Sequence, residues 1–160
     1  MMATKNVEEL AIELGRCMTE IKNHLRQFIQ AKIKEDNINL TYEMLELLAC
    51  LWNKDGINQQ ELADITIKDK SSMTYLVDNL VKRNMVTRVA DENDRRNNLI
   101  YLTAEGRGLQ KRLHPWVLEM YGKATSGLCC AEVEESLLLM RKMIGNMKCP
   151  TPIPAAPPAQ

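Results

Sequence analysis

The sequence predicts a mostly α-helical protein with a small β-hairpin wing, organised as a winged helix-turn-helix lobe plus further long helices. Three observations carry this prediction. Two short helical patterns separated by a turn lie between residues 58 and 83. Two β-prone segments, Val86–Val89 and Leu99–Leu102, follow with a polar, turn-forming stretch between them. Long apolar stripes with helical spacing flank this part on both sides.

The chain of 160 residues is most simply one domain, long enough to bury a core. We place this domain at residues 1–149 and its helix-turn-helix lobe at 40–103. Residues 5–36 and 104–148 then form a helical dimerisation region. Residues 150–160 form a proline-rich tail that we expect to be extended.

The first predicted helix carries an apolar stripe from Val7 to Ile33. A domain of this size covers only part of such a stripe, so we expect a partner chain to cover the rest. The polar segment 35–39 ends this pattern. Thr41 is then predicted to cap a second helix that runs to about Asn53.

The helix-turn-helix pattern begins at Asn58, which stands three residues before Glu61 as in a capping box. Leu62, Ala63 and Ile65 form the apolar side of the short helix that follows. The next helix is predicted over Lys70–Arg83. Its apolar face consists of Met73, Leu76, Val77, Leu80 and Val81.

After the hairpin, Thr103 is predicted to cap a long helix. Pro115 lies inside it and cannot donate to the carbonyl of Lys111, so we expect a kink or a break there. Gly127 ends this segment. A last helix is predicted from about Ala131 to Met147, with glutamates at its positive end.

Composition excludes several classes of protein. The chain has no apolar run approaching a membrane span and no basic-then-apolar start typical of a secretory signal. Its five cysteines lack metal-ligand spacing, which favours free thiols in the cytoplasm. Net charge is zero, yet residues 68–112 hold ten Lys or Arg against six Asp or Glu, a local balance of +4. Such a local excess of cations favours contact with a polyanion.

Several short motifs, in order, resemble the MarR family of bacterial transcription regulators. They are Leu40-Thr41, Gln60–Ala63, Ser71–Thr74 with Val77 and Leu80, Met85–Arg88, Asp91–Arg96 and Leu102–Gly106. One departure is Asn84, which stands where the family usually has Gly after the recognition helix. Asn tolerates the left-handed conformation required there. The resemblance implies a dimer that binds a palindromic operator in double-stranded DNA, with half-sites about 10 base pairs apart.

The second helix of the pair is the predicted recognition helix, because its solvent face is rich in hydroxyls and amides that suit base edges and phosphates. One arginine of the hairpin tip is expected in a minor groove, and the other in an ion pair with Asp91 or Asp94. The candidate DNA-binding residues are Lys70, Ser71, Ser72, Thr74, Tyr75, Asn79, Lys82, Arg83, Arg95 and Arg96.

The sequence gives fewer signals for the effector and its binding site than for DNA binding. The resemblance implies a small aromatic or phenolic ligand in a crevice between the dimer helices and the lobe, for which Cys17, Ile21, Tyr42 and Leu45 are the candidate lining. An alternative is a thiol-based organic peroxide sensor that uses Cys17, since Cys17 and Tyr42 are spaced as in the peroxide-sensing branch. A second tyrosine of that branch is absent at Ala31 and Lys32.

Other classes of function are weaker. A winged-helix protein-interaction module without DNA binding would display exposed large apolar residues on its recognition helix. An enzyme is disfavoured because the sequence has no phosphate loop and no nucleophile motif. His24 and His114 form no ligand cluster with cysteine or glutamate, so we expect no metal and no cofactor.

Overall fold

A computed structural model describes residues 6–91 and 97–148 of the chain. Its elements, in order, are α1 (Val7–Glu35), α2 (Tyr42–Asn53), β1 (Ile57–Asn58), α3 (Gln59–Thr66), α4 (Lys70–Lys82), β2 (Val86–Ala90), β3 (Asn98–Leu102), α5 (Ala104–Ala124) and α6 (Cys130–Lys148). The predicted fold class, helical with a winged helix-turn-helix lobe, is confirmed. The described residues divide into two compact units, and the division lies between Met120 and Tyr121.

Helices α1 and α2 begin where their capping residues place them. Asn6 and Glu9 form a reciprocal capping box at the start of α1. Thr41 Oγ1 accepts from the backbone N–H of Met44 at 3.3 Å, as predicted for α2. The two helices differ in burial: five residues of α2 are buried, but α1 buries only Ile29 and Ile33 near its end. The N-terminal part of the α1 stripe is therefore exposed in the single chain.

The sheet has three strands in the order β1-β3-β2, all antiparallel. The sequence predicts only the β2–β3 hairpin, so the two-stranded prediction was wrong by one strand. Strand β1 has two residues, too few to show the alternation that marks a strand. Asp55, just before β1, binds the end of β3, because its Oδ1 accepts from the backbone N–H of Leu102 at 2.9 Å. Its Oδ2 pairs with Arg107 Nη1 at 2.7 Å.

The core of the first unit lies under the helix-turn-helix. Leu47, Leu48, Leu62, Met73, Val77, Leu80 and Ile100 have no exposed surface. Two residues assigned to apolar faces are instead exposed, Ile65 by 53% and Val81 by 38%. Both lie at the edge of their helix's apolar stripe, where the sequence period alone cannot fix burial. Asn84 has φ 55°, so the predicted left-handed end of α4 is confirmed.

Helix α5 is unbroken through Pro115, so of the predicted kink or break the break does not occur, and the kink stays a prediction. Thr103 caps it as predicted, because its Oγ1 accepts from the backbone N–H of Gly106 at 3.1 Å. The second unit contains the end of α5 and helix α6, which has no buried residue within the described part of the chain. None of the helices in the described ranges combines the length and apolarity needed to cross a membrane. The proline-rich tail lies outside the described residues.

The start of α5 approaches the chain after α4 very closely at Gly106. A Cβ added there would lie 2.1 Å from the carbonyl oxygen of Met85, a backbone atom that cannot move aside by rotation. The Gly106 carbonyl also accepts from Trp52 Nε1 at 2.9 Å. Only glycine therefore fits between α2 and the chain that enters β2.

We predict that Gly106→Ala lowers the free energy of unfolding by about 1–3 kcal/mol, the usual cost of forcing extra volume into a packed site. Gly108→Ala is the matched control two residues along α5, where a Cβ meets nothing within 4 Å. That control should raise stability by about 0.5–1 kcal/mol, because alanine is the better helix former. Urea unfolding of both variants measures the difference, and equal stabilities would contradict the close approach.

Candidate nucleic-acid interface

Helix α4 divides into a buried apolar face and an open N-terminal face. Met73, Val77 and Leu80 have no exposed surface, whereas Ser71 and Ser72 are exposed and Tyr75 is 66% exposed. The helix starts cleanly because Asp69 Oδ1 accepts from the backbone N–H of Ser72 at 2.9 Å. Asp69 Oδ2 also accepts from Ser72 Oγ at 2.6 Å. This arrangement fixes the first turn of α4 at the surface, with the Ser71 hydroxyl and the Tyr75 ring accessible.

The pKa of Asp69 is lowered, first by the hydroxyl of Ser72 and then by the backbone N–H groups at the start of α4. Its carboxylate is therefore ionised at neutral pH and favours the positive end of the helix. One consequence concerns Ser72, whose hydroxyl proton is directed to Asp69 and leaves only the lone pairs of its oxygen for another partner.

Thr74 is less accessible than predicted for a residue that touches DNA. It is half-buried, donates to the carbonyl of Lys70 at 2.9 Å and accepts from Gln59 Nε2 at 2.8 Å. The Thr74 hydroxyl therefore ties α3 to α4.

Asn79 and Arg83 form a network at the other end of α4. Arg83 Nη1 donates to Asn79 Oδ1 at 3.0 Å, and Arg83 Nε donates to the carbonyl of Asn39 at 2.8 Å. Asn79 Nδ2 donates to the carbonyl of Tyr75 at 2.9 Å. Both side chains are thus engaged within the lobe, whereas Lys70 and Lys82, the first and last residues of α4, are exposed.

The hairpin of β2 and β3, the wing, stands beside α4. Arg88 Nη1 on β2 pairs with Asp78 Oδ1 on α4 at 2.6 Å, which joins the wing to the helix. The backbone N–H of Asp91 donates to the carbonyl of Asn97 at 3.1 Å at the last described step of the hairpin. Arg95 and Arg96, the predicted tip residues, lie outside the described residues.

A shallow concavity of about 190 Å³ brings together the start of α3, the start of α4 and the base of the wing. Its lining is rich in amides that both donate and accept, as contacts with phosphates and bases require. It is lined by Gln59, Gln60, Ala63, Lys70, Met73, Asn97 and Asn98. Sequence reasoning selected Lys70 here and missed the four amides. Among these four amides, only Gln60 belongs to a motif noted in the sequence, the Gln60–Ala63 motif.

Residues 40–97 match the model of the MarR family. This part of the chain is a MarR-type domain. Over 146 residues the chain is 27% identical to the HTH-type transcriptional regulator MhqR of Bacillus subtilis. This alignment covers 91% of the chain and 96% of that protein. It is 26% identical over 77 residues to the organic hydroperoxide resistance transcriptional regulator of the same organism, covering 48% of this chain and 52% of that protein.

Solved MarR-family structures share the fold. A MarR transcriptional regulator from Methanosarcina mazei superposes with a TM-score of 0.75 at 25% identity, covering 83% of this chain and 94% of that one. A mutant of MarR from E. coli complexed with operator DNA has a TM-score of 0.71 at 22% identity, covering 87% and 99%. The prediction of a transcriptional regulator, rather than an enzyme, is confirmed.

The four candidate effector residues lie in different surroundings. Cys17 and Ile21 are exposed on α1, and Leu45 is 6% exposed in the core. Tyr42 is half-buried at the start of α2, and the Arg26 guanidinium lies 5.0 Å from the centre of its ring. Arg26 also pairs with Glu43. The structure therefore places an arginine and a tyrosine side by side, whereas Cys17 and Ile21 lie on the exposed part of α1.

A wider concavity of about 620 Å³, here called the turn concavity, lies between the start of α2 and the α3–α4 turn. Hydrogen bonding to its own backbone N–H lowers the pKa of Glu43 in this lining and outweighs partial burial, with help from Thr41, Arg26 and Lys68. Two ionised carboxylates, Glu43 and Asp69, thus border the space. It is lined by Thr41, Glu43, Met44, Ile67, Lys68, Asp69, Ser71, Ser72, Tyr75 and Leu76.

Proposed function

We propose that this MarR-family regulator is a homodimeric repressor that binds a palindromic operator through α4 and the wing. The observation that carries the proposal is the division of α4 into a face whose Met73, Val77 and Leu80 are buried and an open N-terminal face. In a helix-turn-helix, the N-terminal residues of the second helix meet base edges in the major groove. Ser71 and Tyr75 are accessible for that role, and Ser72 offers its oxygen as an acceptor.

Cations supply the contacts with the backbone of the duplex. Lys70 and Lys82 are exposed at the two ends of α4, so they can reach phosphates on either side of a groove. The proposal adds Arg95 and Arg96, the predicted tip residues, to these phosphate-binding cations. Arg83 holds the end of α4 to Asn39 and contributes to binding through that support.

Exposed apolar residues on α1 and α6 support the dimer. Val7 is 78% exposed and Ile12 59% on α1, while Leu138 is 64% exposed and Met147 88% on α6. Stable single chains rarely leave so many large apolar side chains in water. A two-fold partner that covers both helices accounts for them and sets the spacing of two recognition helices.

A small aromatic or phenolic ligand modulates operator affinity in this proposal. Tyr42 and the adjacent Arg26 supply an aromatic face and a cation suited to a phenolate. Cys17, Ile21 and Leu45 complete the proposed lining, with the partner chain closing the crevice.

We predict that Arg95→Ala combined with Arg96→Ala weakens operator binding and flattens its salt dependence, because fewer counterions are released on binding. Fluorescence anisotropy with the DNA upstream of the protein's own gene, at several salt concentrations, measures both. Lys22→Ala, an exposed cation on α1, is the control and should change neither. If the double variant keeps the wild-type affinity and salt slope, the wing does not bind DNA.

We predict that the purified chain has the mass of a dimer in light scattering and that Leu138→Glu shifts it toward the monomer. A buried glutamate without a partner is costly at an apolar interface. Val89→Glu is the matched control on the wing, where an apolar residue is 46% exposed outside the proposed interface. A monomeric wild-type chain would refute the dimer.

A second function, organic peroxide sensing, is favoured by the state of the cysteines. Cys17 is exposed on α1, whereas burial and the nearby Glu46 raise the pKa of the half-buried Cys50 thiol. A raised pKa reduces the thiolate that reacts with peroxides, so Cys17 is the better sensor of these two. The relative from B. subtilis named for organic hydroperoxide resistance supports the same alternative.

If the chain senses peroxide, an organic hydroperoxide should release wild-type protein from DNA, and Cys17→Ser should stay bound. Cys50→Ser is the control and should respond like the wild type. Release of Cys17→Ser at the wild-type peroxide concentration would exclude Cys17 as the sensor. Anisotropy before and after addition of cumene hydroperoxide measures all three.

A further inference from the structure

Ile67, at the turn between α3 and α4, has a left-handed backbone conformation, which glycine and asparagine adopt more readily than isoleucine. Its φ is 51° and its ψ 50°, the left-handed region. Within the described ranges, the other residues of positive φ are two glycines, Gly56 and Gly127, and two asparagines, Asn37 and Asn84. Isoleucine is branched at Cβ and is a strained choice there. Ile67 is therefore the exception to a rule that the rest of the described chain follows.

The fold itself gains little from the Ile67 side chain. The side chain is 93% exposed, so it contributes almost nothing to the core. The turn is closed by backbone groups: Ile67 N–H donates to the carbonyl of Asp64 at 3.3 Å and Lys68 N–H to that of Ala63 at 3.0 Å. Glycine or asparagine would make the same two bonds with less strain. Strain that the fold does not need points to a role outside it.

The position of Ile67 identifies what it meets. It lines the turn concavity together with Ser71, Ser72 and Tyr75, the open N-terminal face of α4. Apolar side chains beside hydroxyls match the major-groove edge of an A·T pair, where the thymine methyl lies next to hydrogen-bonding groups. We propose that Ile67 is a sequence-reading residue that contacts a thymine methyl beside the bases met by the start of α4. This proposal rests on the DNA binding proposed above.

Two features of the turn concavity favour a base edge over other occupants. Its lining holds two carboxylates, Glu43 and Asp69, against one cation, Lys68, so no excess of positive charge is present to attract a phosphate, whereas a methyl group is neutral. A small-molecule ligand would be a poorer fit, because small-molecule sites bury most of their ligand between preformed walls. Ile67 stands almost free of protein contact, as suits a residue that meets a large, separate surface.

The test compares the full-length wild-type chain with Ile67→Asn. Each is used to select binding sequences from a random duplex library, and affinities are then measured by anisotropy on the wild-type consensus. We expect Ile67→Asn to melt at a higher temperature, because asparagine relieves the strain, and yet to lose one thymine from its consensus. We also expect uracil at that position to weaken wild-type binding by about four-fold per half-site, the effect of one buried methyl group. Ile67→Asn should not distinguish uracil from thymine.

Ile65→Asn is the matched control, since Ile65 is an exposed isoleucine of α3 outside the turn concavity. It should keep the wild-type thymine preference. If Ile67→Asn selects the wild-type consensus and uracil has no effect on the wild-type chain, the contact is refuted while DNA binding stands. If the wild-type chain enriches no sequence at all, the proposed function fails first. A lower melting temperature for Ile67→Asn would show that the side chain serves the fold and would overturn the proposal.

Discussion

The lobe depends on one tight junction, where the start of α5 meets the chain between α4 and β2. Thr103 N–H donates to the carbonyl of Met85 at 3.1 Å, and Thr103 Oγ1 donates to that of Asn84 at 2.5 Å. Gly106 lies against the same carbonyl of Met85, where no Cβ fits. Because all of these contacts are made to backbone carbonyls, they hold the end of α4, the start of β2 and the start of α5 close together. The orientation of the wing relative to α4 follows from this spacing.

Local chemistry explains which features were predictable from the sequence. Thr41, Asn58 and Thr103 cap their helices as predicted, and Asn84 adopts its left-handed conformation. Each of these depends on neighbours within a few residues. At Asn58 the side chain accepts from the backbone N–H of Glu61, which is one half of the predicted capping box. The Glu61 carboxylate pairs with Lys54 at 2.8 Å instead of completing the box. Strand β1 escaped prediction because two residues form a strand only when β3 lies beside them.

The candidate site was predictable in composition but not in the engagement of each side chain. Thr74 and Arg83 are polar residues of α4 with suitable spacing, and nothing in the sequence distinguishes them from Ser71 or Lys82. Gln59 bonds to Thr74 because α3 lies beside α4. Asn39 bonds to Arg83 because the α1–α2 linker lies beside the end of α4. Tertiary contacts thus decide which members of one polar face remain available to a partner.

The same contacts reduce the charge that is free to meet DNA. Arg88 pairs with Asp78 and Arg107 pairs with Asp55, so two of these charges are compensated within the lobe. A charge already paired within the protein releases fewer counterions from a duplex than a free one. In the proposed DNA binding, the salt slope should therefore reflect Lys70, Lys82 and the predicted tip residues more than the local excess of cations in the sequence. Arg83 instead holds the C-terminal end of α4 to Asn39 in the α1–α2 linker, while Ser71 and Tyr75 at the N-terminal end of α4 stay exposed.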